Sequence, residues 1–133
     1  MKLIVDTQAF LWMTSAPNLL PRPAQVAITE PTNEILLSAV SAWEIAIKAS
    51  LGKLTLPLPP ADYVRTRVVR HSLTPLPVLH EHALHVAALP HYHRDPFDRL
   101  LAAQCLLESV PVITADAVFA RYGVTVVWDG AGI

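Results

Sequence analysis

Leu3-Ile4-Val5-Asp6-Thr7 opens the chain with three apolar residues in a row and then stops at an acid. A strand with one wet face would alternate apolar and polar side chains. An unbroken run fits a strand covered on both faces, as in a parallel sheet. The same short pattern returns at Ile35-Leu36-Leu37, at Val112-Ile113-Thr114 and over residues 124–128, with a weaker candidate at 73–76.

Helical spacing fills the intervals, over residues 7–14, 23–30, 39–51, 60–71, 80–89, 96–108 and 116–122. Gly52 is a natural stop for the third of these helices. Asp95-Pro96 reads as an N-cap followed by proline at the first helical position. Strand and helix alternate from end to end, which predicts a single α/β domain over residues 1–133. Its sheet is mostly parallel, with helices on both faces. In such a sheet the functional crevice lies outside the carboxyl ends of the strands, where the strand order reverses.

Composition narrows the class. Hydrophobic residues make up 53% of the 133 and charged residues only 16%. The mean hydropathy is +0.40. Both values suit a sheet buried between helix layers, with an apolar surplus that predicts a homodimer and a contact with a further protein partner. No run is long and apolar enough to span a bilayer, and Asp6 interrupts the start too soon for a signal peptide. Cys105 is the only cysteine and sits in an apolar helical pattern, so it reads as a small buried residue in a cytoplasmic protein. Lys and Arg number 10 against 11 Asp and Glu, a formal net charge of -1. That balance does not favour a nucleic-acid partner unless cations offset the acids locally.

Four acids carry the chemistry. Asp6 ends the first strand and Asp116 follows the strand that ends at Thr114, so both fall at the carboxyl edge of the sheet. Glu44 lies mid-helix in Ser41-Ala42-Trp43-Glu44-Ile45-Ala46-Ile47, and Asp98 lies in the first turn after Asp95-Pro96. Each has an ordinary structural reading. Asp6 and Asp116 suit helix caps, Asp98 answers a helix dipole, and Glu44 precedes Lys48 by four residues. As a set they mean more. Carboxylates that converge on one crevice resist ionising together, and a hard divalent cation with oxygen ligands removes that penalty. A cation so held activates water for attack on a phosphodiester.

Four segments together resemble the PIN-domain family, in particular its VapC-type toxins. They are Ile4-Val5-Asp6-Thr7, Ser41 through Lys48, His93 through Gln104, and Ile113-Thr114-Ala115-Asp116 with Phe119 and Tyr122-Gly123 behind it. The resemblance implies a three-layer fold around a five-stranded, mostly parallel sheet. It implies endoribonuclease activity dependent on Mg²⁺ or Mn²⁺, hydrolysing RNA with metal-activated water. It also implies control by a cognate VapB-type antitoxin. Asp6, Glu44, Asp98 and Asp116 match the family's acidic quartet as catalytic metal ligands. Thr114 matches the hydroxyl residue beside the last acid, which orients that acid or a water.

Among the remaining candidates, Arg99 is the best placed in sequence to hold a substrate phosphate. His80, His82, His85, His91 and His93 do not form an HExxH pattern and read as a solvated helix face and loop. Trp43 falls on an apolar stripe with Val40, Ile47 and Leu51 and reads as core. A phosphohydrolase with an aspartyl nucleophile would want a second acid two residues after Asp6, where Gln8 stands. A phospho-acceptor receiver would want a lysine late in the chain, and none is there.

Overall fold

The computed structural model describes residues 1–129. Five strands form one sheet: β1 (Lys2–Val5), β2 (Glu34–Ser38), β3 (Thr74–Leu76), β4 (Val112–Ile113) and β5 (Val126–Val127). Their order is β3-β2-β1-β4-β5, and every neighbouring pair is parallel. The α/β class and the parallel sheet are as the sequence predicts. β5 is shorter than the 124–128 run suggests. Pro75 lies within β3, which is tolerated because that strand is at the sheet edge.

Among the described residues, seven α-helices join the strands: α1 (Thr7–Ser15), α2 (Arg22–Thr29), α3 (Ala39–Ser50), α4 (Pro60–Arg70), α5 (His80–His85), α6 (Pro96–Glu108) and α7 (Val118–Arg121). A single 3-10 turn, Val86–Ala88, completes the stretch expected to be helical to residue 89. Gly52 takes a φ of 72° directly after α3, a left-handed turn that a side chain would strain.

Apolar clusters lie on both faces of the sheet, which is why its strands do not alternate. Leu3, Val5, Ile35 and Leu37 pack with Phe10, Ile45 and Tyr63 on one face. Ile4, Leu36 and Val112 pack with Leu101, Ala102, Cys105 and Phe119 on the other. Burial pushes the Cys105 thiol up to about 12, so it stays protonated and serves as packing.

The order β3-β2-β1-β4-β5 reverses between β1 and β4. β1 leads outward to β2 and β3, whereas β4 leads the other way to β5. Asp6 directly follows β1 and Thr114 directly follows β4, so this topology sets them on the two sides of the switch point.

Candidate active site

Asp6 is both an acid at the crevice and the N-cap of α1. Its Oδ1 accepts the Ala9 N–H at 2.8 Å, and its Oδ2 accepts the Thr114 hydroxyl at 2.5 Å. The carboxyl is 9% exposed. Burial pushes it up to about 6. The bonds from Thr114 and Ala9 oppose that rise, and the charges of Glu44 and Asp116 add to it. The Thr114 hydroxyl also accepts the Asp116 N–H at 3.0 Å, so one buried side chain braces both strand-end acids.

Glu44 enters from α3. Its Oε1 accepts the Thr7 hydroxyl at 2.6 Å, and its Oε2 accepts from the Lys48 ammonium. The capping acid and the ion-pair acid anticipated from sequence are therefore also the acids that meet in space. A carboxylate offers about four lone-pair sites, so neither acid is saturated by these bonds.

Asp98 lies in the first turn of α6, whose N-cap is Asp95. The Asp95 Oδ1 accepts from Phe97 N–H at 2.8 Å and from Asp98 N–H at 3.4 Å. Asp6, Glu44, Asp95 and Asp98 line one open pocket of about 300 Å³, together with Lys48 and Lys53. Burial pushes Asp98 up to about 7. Asp95, Glu44 and Asp6 raise it further, and His93 pulls against them. Asp116 does not line that pocket but joins it through Asp98. Among the described residues, His93, Asp98 and Asp116 each bring one ligand atom within 4.8 Å of the others.

His93 is the residue that sequence reasoning missed. Its Nε2 lies 2.8 Å from Asp116 Oδ2 and 3.1 Å from Asp98 Oδ2. Its Nδ1 accepts the Asp95 N–H at 3.1 Å, which leaves the proton on Nε2, facing the two acids. The available signal was position: His93 is two residues ahead of a helix N-cap, from where a side chain folds back over the first helical turn.

Three expectations need correction. Arg99 does not reach outward for a phosphate. Its buried guanidinium donates to the carbonyls of Pro90 at 2.8 Å, Val86 at 3.0 Å and Leu89 at 3.4 Å, and to the Tyr122 hydroxyl at 3.3 Å. It braces the 86–90 segment, because carbonyls that end a 3-10 turn need donors. His82 is fully buried, not solvated: its Nδ1 accepts the Leu79 N–H and its Nε2 pairs with Glu108 at 2.9 Å. Trp43 is 55% exposed and meets Phe97 edge-on at 5.1 Å between ring centroids. The buried face of α3 carries Val40, Ser41, Glu44 and Ile45 instead. It is turned towards the acidic pocket, and that rotates the apolar stripe outward.

The proposed donor set consists of hard oxygens, and two of its carboxyls are held above their usual range by burial and by neighbouring acids. Both facts fit a hard divalent cation better than a soft one. Asp6, Glu44, Asp98 and Asp116 are the side chains that would hold it.

Comparison with known proteins agrees with the fold. The PIN domain family profile matches residues 3–124. Ribonuclease VapC16 of Mycobacterium tuberculosis (strain ATCC 25618 / H37Rv) is 47% identical over 76 residues, covering 52% of this chain and 54% of that protein. The match thus spans about half the length of this curated relative. The structure of VapBC2 from Rickettsia felis, bound to a DNA fragment from their promoter, gives a TM-score of 0.72 at 14% identity. It covers 97% of this chain and 100% of that chain. VapBC-5 from Mycobacterium tuberculosis, a member of the VapBC family of toxin-antitoxin systems, gives 0.60 at 18% identity, covering 96% and 98%. The structural likenesses speak to the fold, and the profile, running from β1 to the residues before β5, speaks to the family: this chain belongs to the PIN-domain family.

Proposed function

We propose that the protein is a divalent-cation-dependent endoribonuclease acting as the toxin of a toxin–antitoxin pair, with Asp6, Glu44, Asp98 and Asp116 as the cation's ligands. The observation that carries this reading is the shared pocket wall of Asp6, Glu44 and Asp98, three acids delivered by β1, α3 and α6. Asp116 is tied to Asp98 through His93.

A bound Mg²⁺ or Mn²⁺ would supply positive charge for the scissile phosphate and lower the pKa of an attacking water. The chain's own contribution is placement. Thr114 and the Ala9 N–H orient Asp6, Thr7 orients Glu44, and the Asp95 cap fixes the first turn that presents Asp98. Both oxygens of Asp6 and of Glu44 face donors from rigid elements, so their positions do not depend on the cation. No side chain is assigned as a nucleophile, and hydrolysis proceeds without a covalent enzyme intermediate.

The partner side of the reading comes from the relatives, whose names place them in ribonuclease and toxin–antitoxin settings. An antitoxin of the VapB type would mask the crevice. Exposed apolar side chains, among them Val69 at 80%, support a homodimer contact or an antitoxin contact. A cytoplasmic setting follows from an RNA substrate and agrees with the lone buried thiol. No helix among the described residues is long and apolar enough to cross a membrane.

The test incubates purified protein with mixed RNAs, with and without Mg²⁺ or Mn²⁺, beside the Asp6→Asn and Asp98→Asn variants. Cleavage that needs the cation and falls at least about 100-fold in each variant is expected. Cleavage unchanged by chelator, or equal in wild type and variants, would overturn the reading.

A further inference from the structure

With Arg99 turned inward, no arginine among the described residues lines the pocket of Asp6, Glu44 and Asp98. Lys48 and Lys53 are the cations that do. Lys48 sits four residues after Glu44 on α3, and its ammonium donates to Glu44 Oε2. On an ordinary solvated helix face such a pair would contribute little. Here one member is a buried acid of the crevice, and the other is 42% exposed at its mouth. Asp95 and Asp98 act on the same ammonium, which the bond to Glu44 holds above its usual range.

A cation held by the acids would meet the scissile phosphate, but the neighbouring phosphates of the strand still face a near-neutral chain, and a fixed positive charge at the crevice mouth attracts them. An ammonium has three N–H donors and Glu44 takes one, leaving two to point at an incoming oxygen. Glu44 is itself fixed by Thr7, so Lys48 is held in place rather than free to wander over its long stem. The Lys53 N–H bonds to the Lys48 carbonyl at 2.9 Å, so both lysines emerge from the same turn at the end of α3. Gly52, with its left-handed φ, makes that turn.

We infer that Lys48 is a substrate-binding residue that contacts a backbone phosphate of single-stranded RNA, held for that purpose by Glu44 and flanked by Lys53. This rests on the proposed nuclease reading and assigns the phosphate contact within it.

The test uses a fluorescein-labelled single-stranded RNA dodecamer and the full chain carrying Asp98→Asn to suppress cleavage. Anisotropy is read with Mg²⁺ present, across a range of salt. Adding Lys48→Met, which keeps the stem and removes the charge, is expected to weaken binding roughly 5- to 10-fold at 0.1 M salt. The slope of log affinity on log salt should fall by about 0.7, the value of one phosphate contact on a single strand. Lys48→Arg should restore affinity to within about twofold of the parent. A merely structural ion pair would move the melting temperature and leave the slope alone. An unchanged slope in Lys48→Met, or an arginine variant as weak as the methionine one, overturns the assignment. Failure of the nuclease reading looks different: wild type would not cut RNA at all.

Discussion

His93 Nε2 lies 2.8 Å from Asp116 Oδ2, and the same proton-bearing nitrogen lies 3.1 Å from Asp98 Oδ2. A histidine donor therefore stands between two acids proposed to share a cation. A cation that bridged those two Oδ2 atoms would take the place of the His93 N–H, and the lost hydrogen bonds would oppose it. His93→Ala is expected to tighten Mn²⁺ binding by about 3- to 10-fold, the worth of one ordinary, partly solvated hydrogen bond. Calorimetric titration of both proteins checks this, and weaker binding in the variant would show that His93 assists the cation instead.

Stability in chelator should fall as pH rises. Asp6 and Asp98 are held at about 6 and about 7, above the usual carboxylate value of 3.8. The folded state thus binds protons that the unfolded state has already released. The stability this confers is full below about pH 4 and is lost as pH climbs through 6 and 7. Asp6 is deeply buried and Asp98 is partly solvated, so Asp98 counts for less than its shift suggests. The melting temperature followed by circular dichroism should drop by roughly 5–10 °C between pH 5 and pH 8. Asp98→Asn should flatten that slope.

The same titration governs cation binding with the opposite sign, because carboxylates must lose their protons to act as ligands. Affinity for Mn²⁺ should therefore weaken as pH falls below about 7. Measuring the dissociation constant at pH 6 and pH 8 checks it.

Arg99→Met should unfold the protein more easily without touching RNA recognition. The substitution keeps an apolar stem but leaves the carbonyls of Pro90, Val86 and Leu89 without their donor. A loss of about 2–4 kcal/mol in urea denaturation is expected. The salt dependence of RNA binding should not change.

Thr114→Val should uncouple the two strand-end acids. The fully buried hydroxyl donates to Asp6 and accepts from Asp116 N–H, and valine can do neither. A stability loss of about 1–3 kcal/mol is expected. The Asp6 carboxyl should rise further, because the hydroxyl bond is the main influence lowering it. The pH dependence of cation binding would then shift upward, which the same titration at several pH values reads.

The layers of the fold were legible in the sequence because β1, β2 and β4 are buried on both faces and carry unbroken apolar runs. The acids at strand ends were legible because a parallel sheet forces its crevice to that edge. The orientation of α3 was not. Ser41 and Glu44 are polar and yet buried, so an apolar stripe through Val40, Trp43, Ile47 and Leu51 pointed the wrong way. Local reading assigns polar residues to water, and it fails where a polar face lines a pocket. Arg99, His82 and His93 failed for a related reason. The partners of Arg99 lie 9 to 23 residues away, that of His82 26 residues away in Glu108, and that of His93 23 residues away in Asp116. No local pattern reports such contacts.

Acids from β1, α3, α6 and the end of β4 are proposed to hold one cation in common. Titration of Mn²⁺ into metal-stripped protein, followed by the loss of the free-ion paramagnetic resonance signal, tests it most directly. Saturable binding is expected in the wild type, falling at least about tenfold in both Asp6→Asn and Asp98→Asn, with both variants still folded. Wild-type affinity in either folded variant would contradict a shared site.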